Sequence, residues 1–210
     1  MVLLDNVQFP RGQCWVNRNR VKGPSGAIWL TVPVKKKGRG LQSIRDVEIY
    51  NGRDWRRKHL LTLSHLYGNA PYFDEYFPAF EELYSKEWIR LIDLNVMALN
   101  WLKTTVGLTT RFVLASALGA EGSGTQLLLQ ICSKSGCDQY MVSRAARRYI
   151  DQTDLESNGI TLLFRDFTPP VYPQLCGRYI PNLSIIDLIF NCGKRSYRML
   201  ERSCGQARIF

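Results

Sequence analysis

The sequence lacks the features that would carry the chain across a membrane or hold it there. None of its apolar runs reaches the roughly 18 residues that indicate a membrane-spanning helix. The opening stretch, MVLLDNVQFPRG, has no basic segment followed by a long apolar core, so a secretory signal peptide is not predicted. We therefore expect a cytoplasmic protein without membrane insertion.

Patterns that bind metals are missing as well. The six cysteines include no CxxC pair, and zinc sites usually need such tight spacings, so buried, reduced thiols are the better interpretation. The two histidines, His59 and His65, would lie about 120° apart on a helix, which does not place them on one face as a metal pair. The sequence predicts no metal site, and we expect no cofactor.

Common catalytic motifs are also absent. There is no GxSxG elbow, no GxGxxG after the first strand, no HExxH and no EF-hand loop, which argues against dinucleotide oxidoreductases and the common hydrolases. The glycine loop at 119–124 lacks the lysine of a P-loop and is weak evidence for phosphate binding. The sequence has no RNA-recognition signature of paired aromatic residues in sheet strands.

The net charge of +10 is unevenly distributed. Residues 1–60 carry 13 Lys and Arg against 4 Asp and Glu, and residues 194–210 carry 5 against 1, whereas residues 61–193 carry 10 against 13. Such a skew predicts an anionic partner, either a phosphorylated small molecule or RNA. Solvated surface charges explain the same counts equally well, so both interpretations stay open.

Residues 138–193 hold the clearest local pattern. A strand at Gln139–Val142, an arginine-bearing turn at Ser143–Arg148, a helix and a strand at Ile160–Phe164 together predict a βαβ unit. Ligands of open α/β sheets bind beyond the carboxyl ends of such strands, so we expect an anionic group at this turn. The side chains predicted to bind it are Ser143, Arg144 and Arg147.

The remaining pattern predicts an α/β fold over residues 1–210 as a single domain. Its sheet is expected to be mostly parallel or mixed, with flanking helices and a helical insertion in the middle of the chain, a layer at about 54–107. Further predicted strands are Val2–Leu4, Ile28–Val34, Ile44–Ile49 and Arg111–Ala115. Predicted helices are 54–68, Tyr72–Tyr84, Glu87–Val106, Thr125–Ser135 and one that begins at a capping box formed by Ser184 and Asp187.

The run Asn17–Arg20 alternates amide and guanidinium groups. Arginine forks match phosphate or carboxylate oxygens in two-point contacts, so this run is a candidate anion-binding segment. An exposed sheet edge with solvated charges explains the run equally well.

Several segments together resemble the WbqC-like protein family. They are LDNVQF, WVNRNRVK, IWLTVPV, WRRKHLLTLSHLYGNAPYFDEY, YPQL and LSIIDLIFNCG. The resemblance runs from about Val2 to Gly193. It implies a transferase of O-antigen, lipopolysaccharide or amino-sugar biosynthesis, with transfer of a glycyl or similar aminoacyl group to an amino sugar as the suggested reaction. The implied partner is an activated anionic donor such as a nucleotide-sugar or an aminoacylated carrier.

The resemblance also implies site residues. Arg18 would hold a phosphate or carboxylate, and His59 or Asp5 would accept a proton from an attacking amine. The implied catalytic residues are Asp5, His59 and Tyr172. The implied substrate-binding residues are Gln8, Asn17, Arg18, Asn19, Gln174 and Asp187. No covalent nucleophile stands out, which favours direct transfer.

The sequence departs from the family pattern in two places. Members usually carry a strand and a His-Gln-Pro motif upstream of the segment where this chain begins. We therefore expect an N-terminally shortened chain, a late start codon or a degenerate member, with an exposed sheet edge that is prone to pairing with another chain. The turn at Ser143–Arg148 lacks the family's glycine, so arginine side chains would replace a backbone cradle for phosphate. Binding of RNA or tRNA, or a non-catalytic role, remains the alternative.

Overall fold

The computed structural model describes residues 1–204, with the side chains of residues 144 and 145 left out of the description. Contacts within the chain form two compact units. The first unit combines Met1–Val7, Thr110–Thr168 and, within the described chain, residues 200–204. The second unit combines Gln8–Thr109 and Pro169–Met199. The single-domain organisation stays a prediction.

Short strands and helices of moderate length make up the described chain. The strands are β1 (Val2–Leu3), β2 (Arg18–Gly23), β3 (Gly26–Thr31), β4 (Val113–Leu114), β5 (Gln139–Val142) and β6 (Thr161–Phe164). The helices are α1 (Trp55–Tyr67), α2 (Phe73–Ser85), α3 (Leu91–Thr105), α4 (Gly124–Ser135), α5 (Gln152–Ser157), α6 (Ile185–Cys192) and α7 (Ser196–Ser203). Across residues 1–204, no helix has the length and apolar character that crossing a membrane requires.

The first unit contains two parallel strand pairs, β1 with β4 and β5 with β6. Between β5 and β6 the chain forms a 3-10 helix at Arg144–Tyr149 and then α5, so the predicted βαβ unit is confirmed. Asp151 caps α5, because its side chain accepts a hydrogen bond from the backbone N–H of Asp154. Gly136 ends α4 in the left-handed conformation that a helix C-terminus favours.

The second unit pairs β2 with β3 as an antiparallel hairpin and packs it with α1, α2, α3 and α6. One apolar cluster gathers around Leu63, Tyr67 and Phe190, and another around Val47, Trp55 and Leu91. The three consecutive helices α1 to α3 occupy the block predicted to be helical. The predicted α/β fold class is confirmed.

Some predicted elements differ from the structure, and strand β3, for example, spans Gly26–Thr31 rather than Ile28–Val34. Ile44–Ile49 is not a strand: Ile44–Asp46 forms a 3-10 helix, since the backbone N–H groups of Asp46 and Val47 bond back to Ser43 and Ile44. The long helix begins at Leu91 rather than Glu87. Arg90 is extended there and bridges to Glu48, because the Ile89 carbonyl accepts from Ile49 and the Leu91 N–H donates to Val47.

All six cysteines are free thiols. The prediction that they are buried holds for Cys132 and Cys192 and is wrong for Cys137 and Cys176, which are exposed.

Candidate functional site

A fully buried carboxylate stands at the start of α6. The Asp187 Oδ1 atom accepts a hydrogen bond of 2.6 Å from the Tyr67 hydroxyl, and Oδ2 accepts one of 2.7 Å from the Tyr172 hydroxyl. The predicted capping box is therefore wrong. Ser184 makes no side-chain cap, and the Asp187 carboxylate turns inward to the tyrosines instead of capping the helix.

A buried lysine completes this group. The Lys22 ammonium donates to the Gln174 side-chain oxygen at 3.0 Å and to the Arg178 carbonyl, and the Lys22 backbone N–H donates to the Tyr67 hydroxyl. Gln174 in turn holds Ile180 through bonds in both directions at 2.9 Å. We call Lys22, Tyr67, Tyr172, Gln174 and Asp187 the carboxylate cluster.

Sequence analysis missed Lys22 and Tyr67. Lys22 follows Arg18 and Arg20 at alternate positions of β2, and nothing in the sequence distinguishes the buried cation from its partly exposed neighbours. A completely buried tyrosine in an apolar helix likewise resembles a core residue. The signal that could have raised attention was the Asp187 carboxylate, which lies in the otherwise apolar run SIIDLIF and needs buried partners.

The electrostatics of the carboxylate cluster favour proton sharing. Burial raises the pKa of Asp187, while the hydroxyl donors of Tyr67 and Tyr172 and the charge of Lys22 oppose that rise. Burial also raises the pKa of both tyrosines, and the nearby Asp187 charge raises it further. The tyrosines therefore stay protonated at neutral pH and donate hydrogen bonds to a carboxylate whose basicity is increased. Such an arrangement can move a proton at the Tyr172 oxygen.

The second unit, which holds the carboxylate cluster, also contains a cleft of about 480 Å³. Its walls come from the β2–β3 hairpin, from α2 and α3, and from the first residues of α6. The cleft brings together four residues predicted from the sequence. These residues are Asn17, Arg18, Asn19 and His59.

His59 is held inside this cleft by two hydrogen bonds. Its Nε2 lies 3.1 Å from the Thr31 carbonyl, which can only accept, so Nε2 carries the proton and Nδ1 accepts from the Tyr84 hydroxyl at 3.3 Å. Burial lowers the pKa of His59 to about 4. A neutral imidazole with both nitrogens engaged is a weak base, so this geometry favours a positioning role for His59 over proton transfer.

Arg18 lies against exposed tryptophans at the edge of the cleft. Its guanidinium carbon is 3.8 Å from the centre of the Trp29 ring, which is itself 4.9 Å from that of Trp15. One Arg18 nitrogen donates to Gln13 at 2.7 Å. The Arg18 Nε is shielded from solvent and has no hydrogen-bond partner among the described residues. The Arg18 guanidinium is thus held by stacking on Trp29, and its Nε–H group is free to donate a hydrogen bond.

The side-chain amides of the two residues beside Arg18 are already hydrogen-bonded to the backbone. The Asn17 Nδ2 group donates to the Val32 carbonyl at 2.9 Å, and the Asn19 side-chain oxygen accepts from the backbone N–H of Arg20.

The other predicted site residues belong to neither of these two groups. Asp5 belongs to the first unit, where its buried carboxylate accepts from the backbone N–H and the hydroxyl of Ser116, a pairing that fixes the chain after β4. Gln8, in the second unit, is exposed and pairs with Ser43 through the backbone.

The predicted anion site after β5 also lies in the first unit. Ser143 and Arg147 are exposed, and the Arg147 guanidinium lies 5.7 Å from the centre of the Phe164 ring. The Arg144 side chain lies outside the described residues. Within residues 1–204, no group of three or more His, Cys, Asp and Glu side chains is arranged to hold a metal ion.

Two comparisons with known proteins give a match, and one of them identifies a family. The chain is 32% identical over 207 residues to the uncharacterized protein Rv1507c of Mycobacterium tuberculosis (strain ATCC 25618 / H37Rv), an alignment that covers 98% of this chain and 88% of that protein. No solved structure matches. The model of the WbqC-like protein family matches residues 1–199. The chain therefore belongs to the WbqC-like protein family.

Proposed function

We propose that this protein is a transferase of cell-surface polysaccharide or amino-sugar biosynthesis. The proposed reaction moves an aminoacyl group such as glycyl from an activated anionic donor to the amine of a sugar. Membership of the WbqC-like family supports the polysaccharide context. The observation that carries the proposal is the carboxylate cluster, which joins Tyr172, Gln174 and Asp187, three residues that the family resemblance implied.

The carboxylate cluster supplies the proton transfer that such a reaction needs. As the sugar amine attacks the donor's carbonyl carbon, its proton passes to the Tyr172 oxygen, and Tyr172 passes its own proton to Asp187. The raised pKa of Asp187 suits it to receive that proton. Arg18 binds the donor's phosphate or carboxylate, which leaves as an anion.

A matched pair of tyrosine variants tests this role. Tyr179 lies in the same loop as Tyr172 and also loses one hydroxyl bond, to the Pro170 carbonyl, when changed to phenylalanine. Purified protein is incubated with nucleotide-sugars, aminoacylated carriers and amino sugars, and products are identified by mass spectrometry. We expect Tyr172→Phe to lower the transfer rate by about 100-fold or more, the usual size of a general acid–base contribution, and Tyr179→Phe to retain it. Equal rates in the two variants, or no product with any donor, would count against the proposal.

RNA binding is a second candidate because of the exposed tryptophans. Trp15 and Trp29, which are 60% and 39% exposed, present ring faces next to Arg18 and Arg20. Bases of single-stranded RNA stack on such rings while arginines contact the phosphates. This candidate requires affinity that falls steeply with salt.

A further inference from the structure

The polar side chains along the cleft are largely committed to the protein itself. Those that hydrogen-bond to other protein groups are Asn17, His59, Tyr84, Trp88 and Asn95. The Asn95 amide, for example, donates to the Val16 carbonyl at 2.9 Å, and the Trp88 indole donates to the Leu83 carbonyl at 2.8 Å. A polar ligand placed among these groups would find few free partners and would lose its own bonds to water.

Aliphatic side chains make up much of the remaining wall. They include Val21, Leu30, Val32, Leu94, Leu102 and Ile186. Apolar walls favour apolar contents, at about 25 cal/mol for each Å² that is removed from water. A volume of about 480 Å³ is within the range of small-molecule sites. The interior of the cleft therefore suits a hydrocarbon chain better than a nucleoside, whose base and ribose need hydrogen-bond partners.

Positive charge is concentrated in the unit that contains this cleft. The second unit, which contains the whole cleft, carries 20 Lys and Arg against 10 Asp and Glu, and the remaining sequence carries 8 of each. Arg18 lines the cleft with a shielded, unpartnered Nε, so a cation with spare donors meets the apolar interior. This juxtaposition matches a ligand that has one anionic end and one apolar end.

We infer that the cleft binds an amphiphilic anion, with its aliphatic chain between the β2–β3 hairpin and α3 and its phosphate or carboxylate head at Arg18. This inference deepens the proposed transfer reaction, because both place an anionic group at Arg18, but binding of the chain does not require the carboxylate cluster. An isoprenyl phosphate and a long-chain carboxylate share this chemistry, and the head group distinguishes them.

Calorimetric titration with defined probes tests the inference. The probes are farnesyl phosphate, dodecanoate, dodecanol, inorganic phosphate and uridine diphosphate. The three chain-bearing probes are used below the concentrations at which they aggregate. We expect farnesyl phosphate or dodecanoate to bind at least tenfold more tightly than phosphate or dodecanol. Preference for farnesyl phosphate would identify a phosphoryl head, and preference for dodecanoate a carboxylate head.

Two variants locate the bound probe. Ala98, a small and partly exposed residue of α3, lines the cleft, so Ala98→Phe fills it and should abolish binding of both chain-bearing anions. Arg18→Gln should weaken both about tenfold or more while leaving dodecanol unchanged, because dodecanol has no anionic head for the guanidinium to bind. Ala117→Phe, on an exposed turn of the first unit, and Lys36→Ala serve as matched controls and should bind like the unmodified protein.

Folding of each variant is checked by thermal unfolding, and Ala79→Leu, on the α2 wall of the same cleft, replaces Ala98→Phe if the latter does not fold. The inference is overturned if neither chain-bearing anion binds, or if both bind Ala98→Phe as tightly as the unmodified protein. Tighter binding of uridine diphosphate than of farnesyl phosphate would also overturn it. Unchanged farnesyl phosphate binding in Tyr172→Phe is the expected result, because the cleft binds the probe without the carboxylate cluster, so the two proposals can fail separately.

Discussion

At the scale of single residues, burial decides which polar groups can do chemistry. His59 is 6% exposed and has both ring nitrogens engaged, so its environment excludes the charged form. Asp187 is completely buried, but it keeps two hydroxyl donors and a nearby ammonium. The first arrangement holds a neutral ring in place, whereas the second holds a carboxylate ready to accept a proton.

Replacing His59 should change how stability depends on pH. The pKa of His59 is about 4 in the folded protein and near its ordinary 6.5 when unfolded, so the unfolded chain takes up a proton first as pH falls. The contribution of neutral His59 to the free energy of unfolding is fully present above about pH 6.5. It falls by about 3 kcal/mol in total as the pH is lowered from about 6.5 to about 4. His59→Gln should flatten this acid slope in urea unfolding at pH 7, 6, 5 and 4.

The exposed His65 provides the control, because it is the second histidine of the same helix. His65→Gln should keep the slope of the unmodified protein. If His59→Gln and His65→Gln gave the same slope, His59 would not be the source of the acid sensitivity.

Loss of the Tyr67 hydroxyl should destabilise the fold. Tyr67→Phe leaves the Asp187 Oδ1 and the Lys22 backbone N–H without their partner in a site closed to water. An unsatisfied buried polar group costs about 1–3 kcal/mol, and two are created here. Chemical unfolding should show that the free energy of unfolding of Tyr67→Phe is lower than that of the unmodified protein by about 2 kcal/mol or more. As a control, Tyr197→Phe alters a partly exposed tyrosine and should lower the free energy of unfolding by less than about 1 kcal/mol. A similar decrease in both variants would contradict this account of the carboxylate cluster.

At the scale of elements, much of the fold could be predicted, because apolar periodicity reports helices and strands directly. Strand β5 was predicted with its observed bounds, and α4 within one residue. Ile44–Ile49 failed because its β-branched composition favours a strand, whereas local bonds from Ser43 turn the chain into a 3-10 helix. The hydrogen bond from Tyr67 to Asp187 spans 120 positions, and no local pattern encodes such a contact.

Gly193 ends α6 at a position that only glycine fits. Its φ is +54°, and an added Cβ would lie 2.6 Å from the ring of Tyr72. Gly193→Ala combines backbone strain with a steric clash in a packed core, so we expect a loss of about 3 kcal/mol or more in unfolding free energy. Gly136→Ala, at a φ of +62° with open space around the added methyl, should cost about 1 kcal/mol from strain alone. Equal losses would show that Tyr72 moves aside freely.

At the scale of the whole molecule, the fold changes how the charge is interpreted. The sequence places the excess of basic over acidic residues at the two ends of the chain, whereas the contacts gather all of the net charge into the second unit. Sequence position could not reveal this grouping, because the second unit is assembled from two separate segments. The same unit holds the cleft, so the field around it attracts anions of any size.

Salt dependence distinguishes a small anionic ligand from RNA. A small ligand that uses one or two cations should lose about tenfold or less in affinity between 50 and 200 mM salt, whereas RNA contacting six or more phosphates should lose about 300-fold or more. Arg18→Ala should weaken a small ligand about tenfold or more, because Arg18 lines the cleft, while Lys36→Ala on a separate basic loop should change it less than about twofold. With RNA, both variants should weaken binding to a similar extent and each should reduce the salt slope by about one. Measuring the affinity of both variants for farnesyl phosphate and for total tRNA across that salt range therefore shows which anion the basic unit selects. A steep fall of affinity with salt, together with equal losses of affinity in Arg18→Ala and Lys36→Ala, would indicate RNA binding instead of a small ligand.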